Sequence, residues 1–186
     1  PSVTPYAMSK TIAERAAWDF VAGGGPELAT INPALVLGPA LEADYGSSLE
    51  ALVKLMRGDY PVVPKLGFGI VDVRDVASLH RLALEKPEAA SQRFLCSSDF
   101  RWLSDLSRHL RDEFPAYRKK LPTRELPNFL VRILARFDKV IASFVDDVGK
   151  TKKVDTTPAR NLGWQPRSPE EAATAGARSL IDFHIV

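Results

Sequence analysis

The chain begins its first predicted helix at Thr4-Pro5-Tyr6-Ala7-Met8-Ser9-Lys10, the stretch from which the fold is inferred. Thr4 is a suitable N-cap and Pro5 suits the first helical position. Apolar residues then recur at helical spacing and predict an inward face on a helix that runs to about Val21: Ile12, Ala13, Ala16, Ala17 and Phe20. Gly23-Gly24-Gly25 ends it. Residues four apart share a helix face, so Tyr6 and Lys10 are expected to be neighbours.

The pair formed by Tyr6 and Lys10 has a chemical use. A phenol is a weak acid near neutral pH, and an ammonium group held beside it favours the phenolate. A tyrosine in that setting can exchange a proton with a substrate oxygen, and the lysine can also donate a hydrogen bond to a ligand hydroxyl. A bare Tyr-x-x-x-Lys is more often an ordinary exposed pair on an amphipathic helix, so the interpretation depends on the segments that follow.

The next informative segment is Asn32-Pro33-Ala34-Leu35-Val36-Leu37-Gly38-Pro39. It follows Leu28–Asn32, a short apolar stretch that predicts a parallel strand buried on both faces. The loop after that strand, through Gly38-Pro39, would lie at the carboxyl end of the sheet, where open α/β sheets bind ligands. By themselves, its prolines and glycine are equally compatible with simple turns.

Two later segments complete the pattern: Val71-Asp72-Val73-Arg74-Asp75-Val76-Ala77 and Leu162-Gly163-Trp164-Gln165-Pro166. Asp75 falls in the first turn of a predicted helix, where a carboxylate favours the helix dipole. We interpret Asp72 and Asp75 as structural. Two carboxylates three residues apart could in principle share a proton, but nothing else in the sequence requires that chemistry.

In this order, the four segments resemble motifs of the extended branch of the short-chain dehydrogenases/reductases. Within that branch they are similar to the group of dihydroflavonol reductases, cinnamoyl-CoA reductases and aldehyde reductases. The resemblance covers essentially the whole chain but only the C-terminal half of the family's length. It implies an α/β fold: the C-terminal part of a Rossmann-like parallel sheet plus a mostly helical substrate-binding region.

The resemblance also implies a reaction, the reduction of a ketone or aldehyde to an alcohol by hydride transfer from NADP or NAD. Tyr6 would protonate the carbonyl oxygen of a small-molecule substrate, and Lys10 would assist Tyr6 and hold the nicotinamide ribose. Residues of the Asn32–Pro39 segment would wall the nicotinamide side of the cofactor, and Ser48 stands in the position of a cofactor-contacting serine. The residues assigned to that wall are Pro33, Ala34, Leu35 and Val36.

Two other functions stay open. A nucleotide-sugar epimerase or dehydratase of the same branch tends to have an aromatic residue before the asparagine, whereas this chain has Ile31-Asn32-Pro33. A non-catalytic sensor usually loses the tyrosine or the lysine, and both are intact here; an interaction module remains possible in principle. Pro158 stands where the family usually has a lysine, which puts any role for that charge in doubt.

Several parts of a complete reductase are missing from this sequence. Gly23-Gly24-Gly25 follows a predicted helix instead of a strand, and Gly67-Phe68-Gly69 lacks a third glycine, so neither is the dinucleotide fingerprint. The family's catalytic serine would precede Pro1, because Ser2 is too close to Tyr6. We therefore expect a fragment that carries only the nicotinamide side of the site, is inactive alone and self-associates through an exposed sheet edge.

The predicted organisation follows from the pattern of elements. Residues 1–100 would form the C-terminal part of the Rossmann-like domain, with a substrate-region helix at 47–58 inserted, and residues 101–186 a mainly helical substrate-binding region. The further elements expected are strands at 69–73 and 93–96, and helices at 47–57, 74–85, 101–114 and 128–140, with a closing helix after Ser168 to about Phe183.

Composition sets the remaining limits. The chain has 186 residues, a net charge of +2, 45% hydrophobic and 26% charged residues, which is typical of a soluble globular protein and implies neither a nucleic-acid partner nor a membrane span. The single cysteine, Cys96, is interpreted as a buried small hydrophobe in a cytoplasmic protein. The histidines lack ligand spacing, so no metal site is expected.

One basic stretch is interpreted as a solvated helical face, with attraction to an anionic substrate or cofactor group as the alternative: Arg118, Lys119, Lys120, Arg124, Arg132 and Arg136.

Overall fold

The computed structural model describes residues 4–137, 142 and 144–186, in which helices are interspersed with short strands. The helices are α1 (Pro5–Ala22), α2 (Glu50–Arg57), α3 (Val73–Glu85), α4 (Leu103–Glu113), α5 (Asn128–Leu134), α6 (Thr157–Asn161) and α7 (Pro169–Asp182). The strands are β1 (Thr30–Pro33), β2 (Leu35–Leu37), β3 (Val63–Pro64), β4 (Gly67–Asp72), β5 (Arg93–Cys96), β6 (Asp99–Trp102) and β7 (Glu125–Leu126). This arrangement confirms the predicted α/β class.

Local capping signals place the helix ends close to where the sequence predicts them. Thr4 caps α1 by accepting a hydrogen bond from the backbone N–H of Ala7. Ser168 and Glu171 form a reciprocal capping box at the start of α7. Gly58 ends α2 in the left-handed conformation, with φ 78°.

The strands form three small sheets in the described residues instead of one continuous sheet. β1 pairs with β5 in parallel, β4 lies between β2 (parallel) and β6 (antiparallel), and β3 pairs with β7 in parallel. The chain passes from the first sheet to the second twice, between β1 and β2 and between β5 and β6. Both crossings lie at the carboxyl ends of β1 and β5, where Ala34 N–H donates to the carbonyl of Cys96 at 3.0 Å.

Five expectations about individual helices and strands are wrong. Residues 35–37 form strand β2, not a loop, because they pair in register with residues 70–72 of β4. β1 is half-buried, not buried on both faces, and its other edge has no strand partner among the described residues. Residues 101–102 belong to β6, so α4 begins later than predicted, and α2 begins at Glu50 after a turn at 47–49. α5 ends at Leu134, while positions 138–140 of the predicted helix lie outside the described residues.

Two groups of buried side chains make up the core. The larger one joins α2, α4 and α7 to β2 and β4, and the smaller one joins α3 and α6 to β4 and β5. In α2, the predicted apolar residues Leu52, Val53 and Met56 are almost completely buried. Closing helix α7 contributes Ala172, Ala173 and Ala177, whose small side chains let it approach β4 closely.

Three of the four sequence motifs contact one another within this core, namely those at residues 32–39, 71–77 and 162–166. Gly38 has φ 108°, and a Cβ at this position would come within 2.8 Å of the Asp72 carboxylate. Asp72 caps α3 and also accepts hydrogen bonds from the guanidinium of Arg74 at 2.8 and 2.6 Å. Burial opposes ionisation of Asp72, but the hydrogen bonds from Arg74 outweigh it and hold the pKa of Asp72 below its ordinary value.

The motif at residues 162–166 packs against α3, the helix that Asp72 caps. The indole N–H of Trp164, which is 1% exposed, donates to the carbonyl of Asp75 at 2.8 Å. The Asp75 carboxylate accepts from the backbone N–H of Arg167 at 2.7 Å and pairs with its guanidinium. These contacts agree with the interpretation of Asp72 and Asp75 as structural residues.

Helix α1 contacts the rest of the chain through a different face from the one predicted. Glu14, Ala17, Trp18 and Val21 are its partly buried residues, spaced as one helical stripe. Of the predicted inward residues, Ala17 is partly buried, but Ile12 is 60% exposed, Phe20 is 71% exposed, and Ala13 and Ala16 are exposed as well. The polar contacts of Glu14, described below, fix this rotation of the helix.

Candidate active site

The first turns of α1 carry the two side chains to which the sequence assigns proton transfer. Lys10 Nζ lies 5.5 Å from the centre of the Tyr6 ring, so the structure brings this pair together. Tyr6 is 72% exposed and Lys10 is also exposed. Both groups are therefore open to a ligand.

Glu14 determines which way this pair faces. Tyr6, Lys10 and Glu14 follow one another at intervals of four residues and lie along one side of the helix. Glu14 accepts hydrogen bonds from Thr30 Oγ1 (3.1 Å) and Arg93 Nε (2.6 Å), and is 3.4 Å from Asn32 Nδ2. These contacts hold the Glu14 side of α1 against β1 and β5, with Lys10 one turn and Tyr6 two turns before Glu14 on the helix.

The contact between Glu14 and Arg93 strongly favours the ionised form of Glu14. The hydrogen bond from Arg93 is the main cause that lowers the pKa of Glu14 from 4.5 to about 2, and Thr30 and Trp18 add to it against the opposing effect of burial. The Glu14 side chain is 18% exposed, whereas that of Arg93 is 52% exposed. Glu14 is therefore ionised throughout the physiological pH range and holds α1 on the strands.

The residues predicted to wall the cofactor are only partly available for that role. Pro33 ends β1 and is exposed, and Ala34 forms the half-buried crossing to β2. Leu35 and Val36 lie in β2, where Leu35 packs against the larger core group and Val36 against the smaller one. Pro33 and Ala34 are thus the more accessible half of this segment, at the carboxyl end of β1.

Ser48 lies in the turn before α2 and is half-buried. Among the described residues, no hydrogen bond joins it to Tyr6 or Lys10. The structure therefore brings Tyr6 and Lys10 together directly and places Pro33 and Ala34 just after Asn32, whose side chain lies 3.4 Å from Glu14. The roles of Pro33, Ala34 and Ser48 toward a cofactor stay predictions.

Sequence reasoning missed Glu14 and Arg93. A signal for Glu14 was present, because a carboxylate one turn after Lys10 continues the Tyr-x-x-x-Lys stripe and cannot remain inside a packed helix face without a partner. Its partner could not be found this way, since Arg93 lies 79 residues further along the chain.

Two other groups that could be reactive, Cys96 and His109, are engaged in the packing of the described residues. Burial raises the pKa of Cys96 to about 12, with a smaller contribution from the charge of Asp75, so this thiol is inert near neutral pH. His109 Nε2 lies 2.8 Å from Thr174 Oγ1. Within the described ranges, no group of three or more His, Cys, Asp or Glu side chains is placed to hold a metal ion. The helices described here include none with the length and apolar character needed to cross a membrane.

Comparison with known proteins places this fold. No family model matches the chain. Among solved structures, yeast methylglyoxal/isovaleraldehyde reductase Gre2 complexed with NADPH has a TM-score of 0.76 at 25% identity, over 96% of this chain and 51% of that one. Gre2 of Candida albicans in complex with NADPH has a TM-score of 0.73 at 27% identity, over 96% and 52%. The architecture is that of Rossmann-type reductases.

Curated relatives give the same result. Tetraketide alpha-pyrone reductase 1 of Arabidopsis thaliana is 32% identical over 178 residues, which are 95% of this chain and 48% of the relative. Cinnamoyl-CoA reductase CAD2 of Medicago truncatula is 39% identical over 111 residues, 60% of this chain and 33% of the relative. The chain belongs to the extended short-chain dehydrogenases/reductases. It spans about half the length, or less, of these relatives.

Proposed function

We propose that the protein containing this chain is an NADP(H)-dependent reductase that converts a small-molecule ketone or aldehyde to an alcohol. The observation that carries the proposal is the Tyr6–Lys10 pair, which is open to solvent on the side of α1 that Glu14 turns toward β1. Open α/β sheets bind ligands at the carboxyl ends of their strands, and Pro33 and Ala34 mark that end of β1.

The described residues fit the nicotinamide side of such a cofactor. Lys10 has three N–H donors and is exposed, so it can hold a ribose hydroxyl. Pro33 and Ala34 offer a short apolar surface beside it, whereas Leu35, Val36 and Ser48 are half-buried and would contribute less. The NADPH in the Gre2 complexes supports NADP(H) over NAD(H). When bound, the nicotinamide supplies the hydride.

In this reaction, the residues of the chain would move a proton and position the carbonyl group of the substrate. Tyr6 would donate its phenolic proton to the substrate oxygen as negative charge develops there. Lys10, one turn further along, would stabilise the phenolate that remains. Glu14 would keep both groups in place by fixing the rotation of α1.

The alternative functions fit less well. Tetraketide alpha-pyrone reductase 1 and cinnamoyl-CoA reductase CAD2, both more than 30% identical, are named as reductases, whereas UDP-glucose 4-epimerase of Thermotoga maritima, at 22% identity and a TM-score of 0.70, shares the fold. A sensor or interaction module would not need the exposed Tyr6–Lys10 pair. We therefore favour the reductase over both.

The proposal extends to the organisation of the chain. Residues 1–100, with the helix at 47–58 inserted, would serve mainly the cofactor, and residues 101–186 mainly the substrate. The exposed apolar residues of α5, Phe129, Ile133 and Leu134, are consistent with a surface that covers a substrate. The chain alone would be inactive and would self-associate.

A direct assay tests the proposed reaction. The full-length protein should oxidise NADPH in the presence of a panel of small ketones and aldehydes, and should use NADPH better than NADH. A panel of nucleotide sugars, assayed for epimerised or dehydrated products, provides the comparison. Turnover of nucleotide sugars without net NADPH oxidation would contradict the reductase and support the epimerase.

A further inference from the structure

A basic cleft lies away from the residues assigned to the candidate active site. It measures about 530 Å³ and is bounded by the end of α2, the residues after it, α4 and the segment before β7. None of Tyr6, Lys10, Pro33, Ala34 or Ser48 lines it. Its lining residues are Arg57, Gly58, Tyr60, Pro61, Arg111, Lys119, Lys120, Leu121, Pro122, Thr123 and Arg124. Five of these carry a positive charge and none carries a negative one.

Two of the arginines are fixed without being neutralised. Arg57 donates to the carbonyl of Ile185 through Nε (3.2 Å) and Nη2 (2.7 Å). Arg111 donates through Nη1 to the carbonyl of Leu121 at 2.8 Å. A backbone carbonyl orients a guanidinium but does not cancel its charge, so both groups keep donors and full charge available to an anion.

Nearby carboxylates do not compensate this charge. Among the described residues, none of the five cations of the cleft forms an ion pair with an Asp or Glu. Glu125 accepts a hydrogen bond from Ser104 Oγ at 2.7 Å, and Asp112 lies 3.7 Å from Arg118, outside the cleft. Asp59 follows Gly58 but does not line the cleft.

The walls of the cleft are held close to each other. Gly58 has φ 78°, and a Cβ there would come within 3.1 Å of the Lys120 side chain and its carbonyl. Val63 N–H donates to the carbonyl of Arg124 at 3.0 Å, next to the pairing of β3 with β7. The end of α2 and the segment that carries Lys120 and Arg124 are therefore fixed relative to each other.

We propose that this cleft binds a small ligand with two or more linked phosphate groups. Single phosphates need two or three donors, whereas five cations spread around one cleft match several negative charges. Tyr60, which is 45% exposed, and Pro61 provide an apolar edge for an organic part of the ligand. Thr123 adds a hydroxyl donor. The proposal does not depend on the reductase function.

The test uses the full-length protein and calorimetric titration with tripolyphosphate and, separately, ATP. The cleft variant is Lys119→Gln, Lys120→Gln and Arg124→Gln combined, because all three side chains are exposed and their removal leaves the core intact. The charge-matched control is Arg118→Gln, Arg132→Gln and Arg136→Gln combined, which alters the same basic stretch outside the cleft. Thermal unfolding of both variants establishes that they are folded.

We expect the cleft variant to weaken tripolyphosphate binding by at least about 30-fold, and the control variant to change it less than about threefold. Equal affinity for ATP and tripolyphosphate supports an inorganic oligophosphate, and tighter binding of ATP supports a nucleotide placed against Tyr60. Equal losses in the two variants would overturn the proposal in favour of unspecific surface charge. Competition by NADPH together with unchanged tripolyphosphate binding in the cleft variant would place the phosphates in the cofactor site and overturn the proposal. Tighter binding of single-stranded DNA than of tripolyphosphate would also overturn it.

Discussion

At the scale of single residues, the hydroxyl of Tyr6 is the group on which the proposed chemistry depends. Tyr6→Phe removes only this hydroxyl from an exposed side chain, so the fold and cofactor affinity should stay nearly unchanged. Loss of a general acid should lower kcat at least ~100-fold. NADPH oxidation by the full-length variant measures this, with Tyr60→Phe as the matched control. Near-normal turnover would mean that Tyr6 is not the acid.

In the proposed function, Lys10 assists Tyr6 and holds a hydroxyl of the cofactor ribose. The substitution Lys10→Met distinguishes these two roles from that of an ordinary surface lysine. Lys10→Met should weaken NADPH binding and lower kcat, because it removes an exposed ammonium with three N–H donors that lies 5.5 Å from the centre of the Tyr6 ring. Lys10→Arg, which keeps the charge, should restore part of both effects. A normal kcat with normal cofactor affinity would identify Lys10 as an ordinary surface lysine.

At the scale of elements, the Glu14–Arg93 contact joins α1 to the first sheet. The pKa of Glu14 is lowered from 4.5 to about 2, so the stability that it contributes is complete above pH 4.5 and is lost as the pH falls toward 2. Because half of the Arg93 side chain is open to water, we expect Glu14→Gln to lower the free energy of unfolding by about 1–2 kcal/mol at pH 7.

Urea unfolding at pH 7, 4 and 3 checks this expectation. The difference between wild type and Glu14→Gln should shrink as the pH falls. Glu85→Gln is the matched control, because Glu85 pairs with Arg81 on an exposed surface where such pairs contribute little. A difference for Glu14→Gln that does not depend on pH would show that its charge does not anchor the helix.

Elements defined by local signals could be predicted from the sequence, and elements defined by distant partners could not. Thr4 with Pro5, Ser168 with Glu171, and Gly58 act within one turn of their helix ends, and the structure has all of these caps. Strand β2 exists because residues 35–37 pair with residues 70–72 of β4. A three-residue strand leaves no periodic pattern long enough to identify without its partner.

In the candidate site, too, the features set by local sequence could be predicted and those set by distant residues could not. The spacing of Tyr6 and Lys10 predicts their proximity, because one helix carries both. Which side of α1 faces the sheet depends on Arg93, and the apolar pattern alone favoured the wrong side. The apolar residues Ile12 and Phe20 mark a second surface of α1 that the described residues leave uncovered.

At the scale of the whole molecule, that uncovered surface determines how the isolated chain should behave. Met8, Ile12 and Phe20 are 56%, 60% and 71% exposed and, with Ala16, follow one another every four residues along α1. β1 also has an edge without a strand partner among the described residues. Exposed apolar patches and open strand edges both promote association.

We therefore predict that residues 1–186 alone self-associate and neither bind NADPH measurably nor reduce carbonyl compounds. The second part follows because no glycine-rich turn between a strand and a helix is present in this sequence to hold a pyrophosphate. Light scattering over a range of concentrations should show oligomers, and Ile12→Glu with Phe20→Glu should reduce their size. Leu84→Glu, at an isolated position that is 89% exposed, should not. Micromolar NADPH binding by a clean monomer, measured by calorimetry, would show that the chain holds the cofactor without a glycine-rich turn and that α1 does not need its apolar side covered.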